Sequence, residues 1–213
     1  MKYIKDLIKA MLNRFFKKFI VYSLPNNNNE IIITFDDGPC AGATELILDT
    51  LKIYNTKACF FVLGKHAEKH PEIIKRMHDE GHEIGIHGYN HARAGTVSTK
   101  EYVDGVTKAN TIIETIIKAK TTKIFRPPYG DITLPTFLSL LYCGYKYVMW
   151  GYDSEDSFIE AADDLYLNIK NKPPVGGSIC LFHDDYERTS EMLGKLIEHW
   201  KSIGFKFKTI SNL

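Results

Sequence analysis

The feature of this sequence that most constrains its fold is a regular alternation of strand-like and helix-like segments after residue 30. Short apolar runs rich in β-branched and aromatic residues predict strands, and the longer amphipathic segments between them predict helices. The predicted strands are residues 31–35, 57–63, 82–86, 123–125, 145–150, 177–182 and 205–209. The predicted helices lie near residues 44–55, 71–80, 99–119, 133–142, 159–170 and 188–202.

Strands that alternate with helices are joined by crossover connections and therefore form a parallel sheet. About seven such units over residues 30–213 fit a small barrel better than an open sheet, although periodicity alone leaves the open sheet as an alternative. We therefore predict an α/β fold, a distorted and incomplete (β/α) barrel of about seven parallel strands.

The first 29 residues differ from this domain and predict a basic amphipathic helix followed by an Asn-rich linker. Apolar side chains recur along one stripe of residues 4–19, while residues 1–18 carry six basic side chains and one acidic one. Such a helix either docks on the domain or, through residues 1–20, lies on an anionic membrane surface. No apolar run approaches the ~18 residues that span a bilayer, and no clear signal peptide is recognised.

The overall charge and the cysteines exclude several classes of protein. With 27 basic and 26 acidic side chains the formal net charge is +1, whereas nucleic-acid binders carry a basic excess, so we expect no nucleic-acid partner. None of the four cysteines has CxxC spacing, which argues against a disulfide framework or a thiolate zinc site. Cys59 and Cys180 lie in apolar runs and are predicted to be core residues. We expect a monomer.

Residues capable of chemistry gather where the predicted strands end. In chain order they are Asp36, Asp37, His87, His91, Arg126, Asp153, Asp156 and His183. Each has a simpler explanation in isolation, as a turn aspartate or an exposed histidine. Their coincidence after five different strands indicates one shared site, because the carboxyl ends of barrel strands converge on a single face. One carboxylate with two imidazoles is a zinc-type ligand set, and a further carboxylate could act as the base of a hydrolase.

Four of these segments resemble the motifs of a known family. Thr34-Phe35-Asp36-Asp37-Gly38, His87-x-x-x-His91, Arg126-Pro-Pro-Tyr129-Gly130 and Leu181-Phe-His183 are similar to the first, second, third and fifth motifs of the polysaccharide deacetylases. This is the NodB-like group, carbohydrate esterase family 4, and the similarity extends from about Ile31 to the C-terminus. The resemblance implies a distorted (β/α) barrel and metal-dependent hydrolysis of N-acetyl groups on amino sugars.

The resemblance also implies a role for each motif residue. Asp37, His87 and His91 would bind one divalent metal ion, most simply zinc, although the same ligands accept cobalt, nickel or iron. Asp36 would be the general base for the attacking water, and Arg126 would hold it ionised.

The remaining implied roles concern the leaving group and the substrate. His183 would be the general acid, oriented by Asp153, with Asp156 as the alternative partner. The backbone amide of Tyr129 would stabilise the oxyanion together with the metal. The residues implied to contact the substrate are Pro128, Tyr129, Leu181 and Asp156.

Three positions depart from the family pattern or have no assigned role. Ser157 stands where the fourth motif usually has tryptophan, which predicts a weaker grip on extended sugar chains unless Tyr152 or Phe158 supplies the missing ring. Gly88 follows the first motif histidine in place of the usual serine or threonine. Cys40 is expected near the metal, with no role assigned.

From the sequence we therefore expect deacetylation of an N-acetylglucosamine-containing polysaccharide, oligosaccharide or glycolipid. The alternatives are an O-acetyl ester or small cyclic amide as substrate, or a barrel that binds carbohydrate without catalysis. The family and the basic leader suggest the cell envelope or a membrane-associated location, and the cytoplasm remains the alternative because no clear signal peptide is recognised.

Overall fold

A computed structural model describes residues 19–25 and 29–212 of the chain, the last of these only in its backbone. The strands are β1 (Ile20–Val21), β2 (Glu30–Asp36), β3 (Cys59–Val62), β4 (Glu83–Ile86), β5 (Ile124–Phe125), β6 (Lys146–Val148), β7 (Tyr152–Asp153), β8 (Ile179–His183) and β9 (Lys206–Phe207). The helices are α1 (Ala43–Ile53), α2 (Gly64–Lys69), α3 (Pro71–Asp79), α4 (Thr99–Ile117), α5 (Leu134–Tyr142), α6 (Ala162–Asn171) and α7 (Glu187–Ser202).

All seven predicted strands and all six predicted helices are present, with ends that differ by a few residues. Sequence analysis missed β1, β7 and α2, which are short and lack a clear periodicity. The helix predicted over residues 4–19 and most of the asparagine linker lie outside the described residues. Two short 3₁₀ turns complete the described part of the chain, at Pro128–Gly130 and Ile210–Asn212.

The strands form one parallel sheet that curls into a half-barrel, as the sequence predicted. Its order is β1-β6-β5-β4-β3-β2-β8-β7, and β9 pairs with the beginning of β2. Residues just after β1 approach the other end of this path, where Ser23 forms an antiparallel bridge with Ser178 and the Leu24 N–H donates to the Gly177 carbonyl at 2.8 Å. Residues 19–25, assigned to the leader on sequence grounds, therefore form part of the barrel wall.

Alternation along the strands separates two apolar clusters. On β2, Ile31, Ile33 and Phe35 pack with the surrounding helices in the main core. Ile32, from the opposite face of the strand, packs in a second cluster with Phe61 and other strand residues in the barrel interior. Since successive side chains on a strand point to opposite faces, Thr34 and Asp36 lie on the same face as Ile32. The polar side chains of Thr34 and Asp36 therefore lie inside the barrel, next to the apolar cluster that contains Ile32 and Phe61.

Cys59 and Cys180 are fully buried in these clusters, which confirms the prediction that they are core residues. Burial raises the pKa of both thiols, so neither is a ready nucleophile. Their side chains act as small apolar groups.

Gly85 on β4 makes room for the middle layer of the barrel interior. A Cβ at this position would lie 2.6 Å from the Phe61 ring and 3.0 Å from Ile124. The Phe61 ring in turn lies 4.0 Å from the guanidinium carbon of Arg126. The absence of a side chain on Gly85 therefore lets Phe61 support the buried arginine.

Replacing Gly85 with alanine should overpack this layer and destabilise the fold by about 1–3 kcal/mol. For a chain of this size each kcal/mol lowers the melting temperature by roughly 2–4 °C, which calorimetry or circular dichroism can measure. Gly105→Ala, within α4, is the matched control, because a Cβ there would make only an ordinary 3.6 Å contact with Tyr89. Equal melting temperatures for Gly85→Ala and the wild type would contradict this packing argument.

Candidate active site

Three potential metal ligands meet at the mouth of the barrel. Asp37 follows β2 directly, and its backbone adopts a left-handed φ of 77° that turns the chain away from the strand. His87 follows β4, and His91 lies four residues further along the same loop. The Asp37 Oδ1 atom lies 3.5 Å from His87 Nε2 and 3.2 Å from His91 Nε2. One ligand atom from each residue lies within 4.8 Å of the others.

The electrostatics of this trio fit a divalent cation. Asp37 Oδ1 is buried and accepts no hydrogen bond from any residue that the structure describes. His87 engages the Arg126 carbonyl through Nδ1 at 2.8 Å, which leaves Nε2 as the free nitrogen. Burial lowers the pKa of His87 to about 3, so the ring is neutral and its free lone pair can bind a metal. These are the three residues that the sequence indicated as metal ligands.

Asp36 forms a buried ion pair with Arg126. The Arg126 Nη1 atom donates to Asp36 Oδ1 at 2.7 Å and to Thr34 Oγ1 at 2.7 Å. Its other donors satisfy the Val148 and Met149 carbonyls, both at 3.1 Å. The pairing of Asp36 with Arg126 therefore agrees with the expectation from sequence.

The direction of the Asp36 pKa shift differs from that expectation. Burial raises the pKa of Asp36 above its ordinary value, although Arg126 and then His183 act to lower it. The cost of placing a carboxylate in the barrel interior outweighs the attraction of the guanidinium. A raised pKa makes a carboxylate a stronger base, which suits a group that accepts a proton.

His183, the last residue of β8, is held in its charged form by Asp156. Its Nδ1 atom lies 2.8 Å from Asp156 Oδ1, and its backbone N–H donates to Asp156 Oδ2 at 2.8 Å. Thr189 donates to the same carboxylate at 2.9 Å. Burial alone would lower the pKa of His183, but the hydrogen bond and charge of Asp156, aided by Asp36, raise it to about 9.

This arrangement corrects the order of the two aspartates in the sequence interpretation. Asp156, not Asp153, is the partner of His183, and it is fully buried beneath the histidine where it does not line the cavity. Asp153 is exposed, lines the cavity and accepts the Glu155 N–H at 2.9 Å. The reason is register: Asp153 pairs with Leu181, two residues before His183, and only the turn that follows β7 reaches the histidine.

A cavity of about 420 Å³ opens above these groups. It is lined by Asp36, Asp37, His87, His91, Pro127, Tyr129, Trp150, Asp153, Ser157, Phe158, Leu181, His183 and Tyr186. Leu181 and Tyr129 take part, in agreement with the expected substrate contacts. Pro128 is buried and does not line the cavity; its neighbour Pro127 does.

Aromatic rings surround the mouth of the cavity. Tyr129 and Phe158 expose 54% and 82% of their surface, and Trp150 and Tyr186 line the same cavity. Phe158 therefore presents a ring beside Ser157, whereas the Tyr152 hydroxyl is engaged with the Lys172 carbonyl. The wall that was expected to lack a stacking surface has one. Trp150 was not among the predicted site residues. Its position at the end of the predicted strand 145–150 could have identified it as a cavity residue, because the other site residues also follow strand ends.

Two further residues make contacts that the sequence did not predict. Cys40 does not line the cavity; its N–H donates to Thr44 Oγ1 at 2.8 Å at the start of α1. The Nδ1 atom of His66, on α2, lies 2.7 Å from the Asp37 carbonyl. No local pattern could reveal this contact, because α2 itself was not predicted.

Comparison with known proteins gives consistent matches. Residues 23–148 match the family model described as polysaccharide deacetylase. The chain is 36% identical over 196 residues to a peptidoglycan-N-acetylglucosamine deacetylase of Bacillus cereus. The aligned region covers 90% of this chain and 70% of that protein. It is 33% identical over 204 residues to the peptidoglycan-N-acetylmuramic acid deacetylase PdaC of Bacillus subtilis, which covers 92% of this chain and 42% of that longer protein.

The fold is also similar to that of solved relatives. A crystal structure of the peptidoglycan N-acetylglucosamine deacetylase Bc1960 aligns with a TM-score of 0.86 at 33% identity, covering 93% of this chain and 94% of that one. This similarity extends across the whole barrel and not only its motifs. The chain belongs to the polysaccharide deacetylase family, the carbohydrate esterase family 4.

Proposed function

We propose that this deacetylase removes N-acetyl groups from the amino sugars of peptidoglycan. The observation that carries the proposal is the pairing of Asp36 with His183 across the adjacent strands β2 and β8, directly beside the Asp37–His87–His91 cluster. A base, an acid and a candidate metal site thus share one cavity. Relatives that act on N-acetylglucosamine or N-acetylmuramic acid of peptidoglycan support the choice of substrate.

In the proposed reaction Asp36 accepts a proton from water while the water oxygen bonds to the acetyl carbon. His183 then donates its proton to the sugar nitrogen as the carbon–nitrogen bond breaks, so the products are acetate and a free amine. Arg126 keeps the Asp36 carboxylate oriented, and Asp156 keeps His183 protonated. The Tyr129 backbone amide would stabilise the oxyanion. A bound divalent ion would polarise the acetyl carbonyl and lower the pKa of water.

We further propose zinc as the resident ion, bound by Asp37, His87 and His91. Two imidazole nitrogens and one carboxylate oxygen are donors that zinc prefers, and three protein ligands are typical of catalytic rather than structural sites. Cobalt, nickel or iron would be accepted by the same set.

Recognition of a sugar is supported by the aromatic rings at the cavity mouth. Rings such as Trp150 and Phe158 offer apolar faces, while Asp153 offers a carboxylate oxygen for sugar hydroxyls. We propose that these groups contact the sugars on either side of the acetylated unit.

The basic leader is proposed to bring the protein to an anionic membrane surface in the cell envelope. Residues 1–18 carry the basic side chains, whereas Ile20 and Val21 pair with β6 and belong to the barrel. Among the described residues no helix is both long and apolar enough to cross a bilayer. Peripheral contact through a basic amphipathic segment would require no such helix.

Zinc-loaded protein should release acetate from peptidoglycan fragments and from N-acetylglucosamine oligomers, and removal of the metal by a chelator should abolish this release. Asp36→Asn should still bind zinc but should lose roughly a hundredfold or more in rate, the usual worth of a positioned acid–base group. The measurement is acetate release across a panel that includes O-acetyl esters. Activity on esters alone, or an Asp36→Asn protein as fast as the wild type, would refute the proposal.

The pH dependence of kcat/KM should be bell-shaped. Activity rises as Asp36 loses its proton, and it falls above about pH 9 as His183 loses the proton it must donate. Asp156→Asn removes the charge that raises this pKa, so the alkaline limb should move down by about 1–3 pH units. Asp153→Asn is the matched control and should leave the alkaline limb in place. A shift with Asp153→Asn instead would contradict the corrected pairing.

The full-length chain should sediment with vesicles that contain about one third anionic phospholipid but not with purely zwitterionic vesicles. Each leader lysine near an anionic surface contributes about 1 kcal/mol, so Lys2, Lys5 and Lys9 changed together to glutamine should weaken binding roughly a hundredfold. The control changes three exposed lysines of the barrel, Lys65, Lys170 and Lys172, in the same way. Equal losses in both triple variants would rule out a specific role for the leader.

A further inference from the structure

The peptide unit between Asp37 and Gly38 is held from both sides. His66, on α2, contacts the Asp37 carbonyl through Nδ1 at 2.7 Å. On the other side the Gly38 N–H interacts with the carboxylate of Asp184, the residue that follows β8. The carbonyl of Asp37 and the N–H of Gly38 are the two polar groups of a single planar unit. Both of its hydrogen-bonding groups are therefore engaged by side chains from distant parts of the chain.

Asp184 is itself rigidly placed. It is 1% exposed, and its carboxylate accepts the Thr44 hydroxyl at 2.8 Å. Its backbone N–H donates to the Asp36 carbonyl at 3.3 Å. A Cβ on Gly38 would lie 2.0 Å from the Asp184 carboxylate, so only glycine allows this approach. The Asp184 side chain therefore occupies the space that a side chain at position 38 would need.

The orientation of this peptide controls where the Asp37 carboxylate points. Asp37 has a left-handed φ of 77°, a conformation that a residue other than glycine keeps only when its surroundings hold it. A rotation of the peptide would move the side chain relative to His87 and His91. Partners that hydrogen-bond to a metal ligand orient it and tune metal affinity. A side chain that holds the backbone of the ligand in place would act in the same way.

We propose that His66 and Asp184 are positioning residues that clamp the Asp37–Gly38 peptide and thereby preset Asp37 for metal binding. This inference rests on the metal site of the proposed function. His66 must carry its proton on Nδ1, because only an N–H can donate to the carbonyl. This role explains why His66 and the buried Asp184 lie beside the site although neither takes part in the proposed reaction.

The test is the zinc affinity of the metal-free protein, measured by competition with a chromophoric chelator. Loss of such a supporting contact typically costs 10- to 100-fold in metal affinity, so His66→Leu should raise the zinc Kd by about tenfold or more. His66→Asn keeps an N–H at about the same distance from the backbone and should restore affinity close to that of the wild type. His78→Leu, at an exposed position on α3, is the control and should leave the Kd unchanged.

A second variant tests the other side of the clamp and guards against misfolding of the first. Asp184→Asn removes the carboxylate charge and one acceptor oxygen, and it should also raise the zinc Kd. Saturating zinc should return kcat of His66→Leu towards the wild-type value, because the clamp acts through metal binding and not through the reaction. A lasting loss of kcat at saturating zinc would indicate a merely structural role and overturn the proposal.

The outcomes separate this inference from the function it rests on. A wild-type protein that binds no zinc in the titration would remove the metal site itself. A wild-type protein that binds zinc, with His66→Leu and Asp184→Asn folded by circular dichroism and equal to it in Kd, would overturn the clamp alone. A tenfold loss in His66→Leu that His66→Asn repairs would establish it.

Discussion

The arrangement of the barrel mouth depends on one buried cation, the guanidinium of Arg126. Removing a charge from water is costly, and the cost is offset only when each nitrogen of the guanidinium finds an acceptor. Arg126 meets this condition with Asp36, Thr34 and two carbonyls that follow or end β6. Its own carbonyl contacts His87 Nδ1. One residue therefore orients both the proposed base, through its side chain, and a proposed metal ligand, through its backbone.

The same alternation that builds the core also delivers the reactive groups. On β2, Phe35 packs among the helices, and its neighbours Thr34 and Asp36 lie on the barrel side. The barrel interior contains an apolar cluster with Ile32 and Phe61, so the charged groups beside it lie in a poorly solvated environment. This explains why burial dominates the pKa shifts of Asp36 and His87. At His183 the hydrogen bond and charge of Asp156, aided by Asp36, outweigh burial and raise the pKa.

Support for the site continues beyond the residues that touch the cavity. Thr189 donates to the carboxylate that holds His183, and Thr44 donates to the carboxylate that approaches Gly38. Both threonines lie in the first turn of a helix outside the barrel, Thr44 in α1 and Thr189 in α7. The outer helices thus stabilise the fold and also fix the aspartates behind the reactive groups.

The sequence by itself predicted a parallel sheet and gathered the candidate metal ligands Asp37, His87 and His91 at strand ends, because strand–helix alternation and residues at strand ends are local properties of the chain. The resemblance to the polysaccharide deacetylases added the pairing of Asp36 with Arg126. Tertiary structure alone decided that Asp156 rather than Asp153 meets His183, since that choice depends on the register between β7 and β8. Tertiary structure also brought His66 to the Asp37 carbonyl. This contact forms only once α2, which carries His66, is packed beside the end of β2.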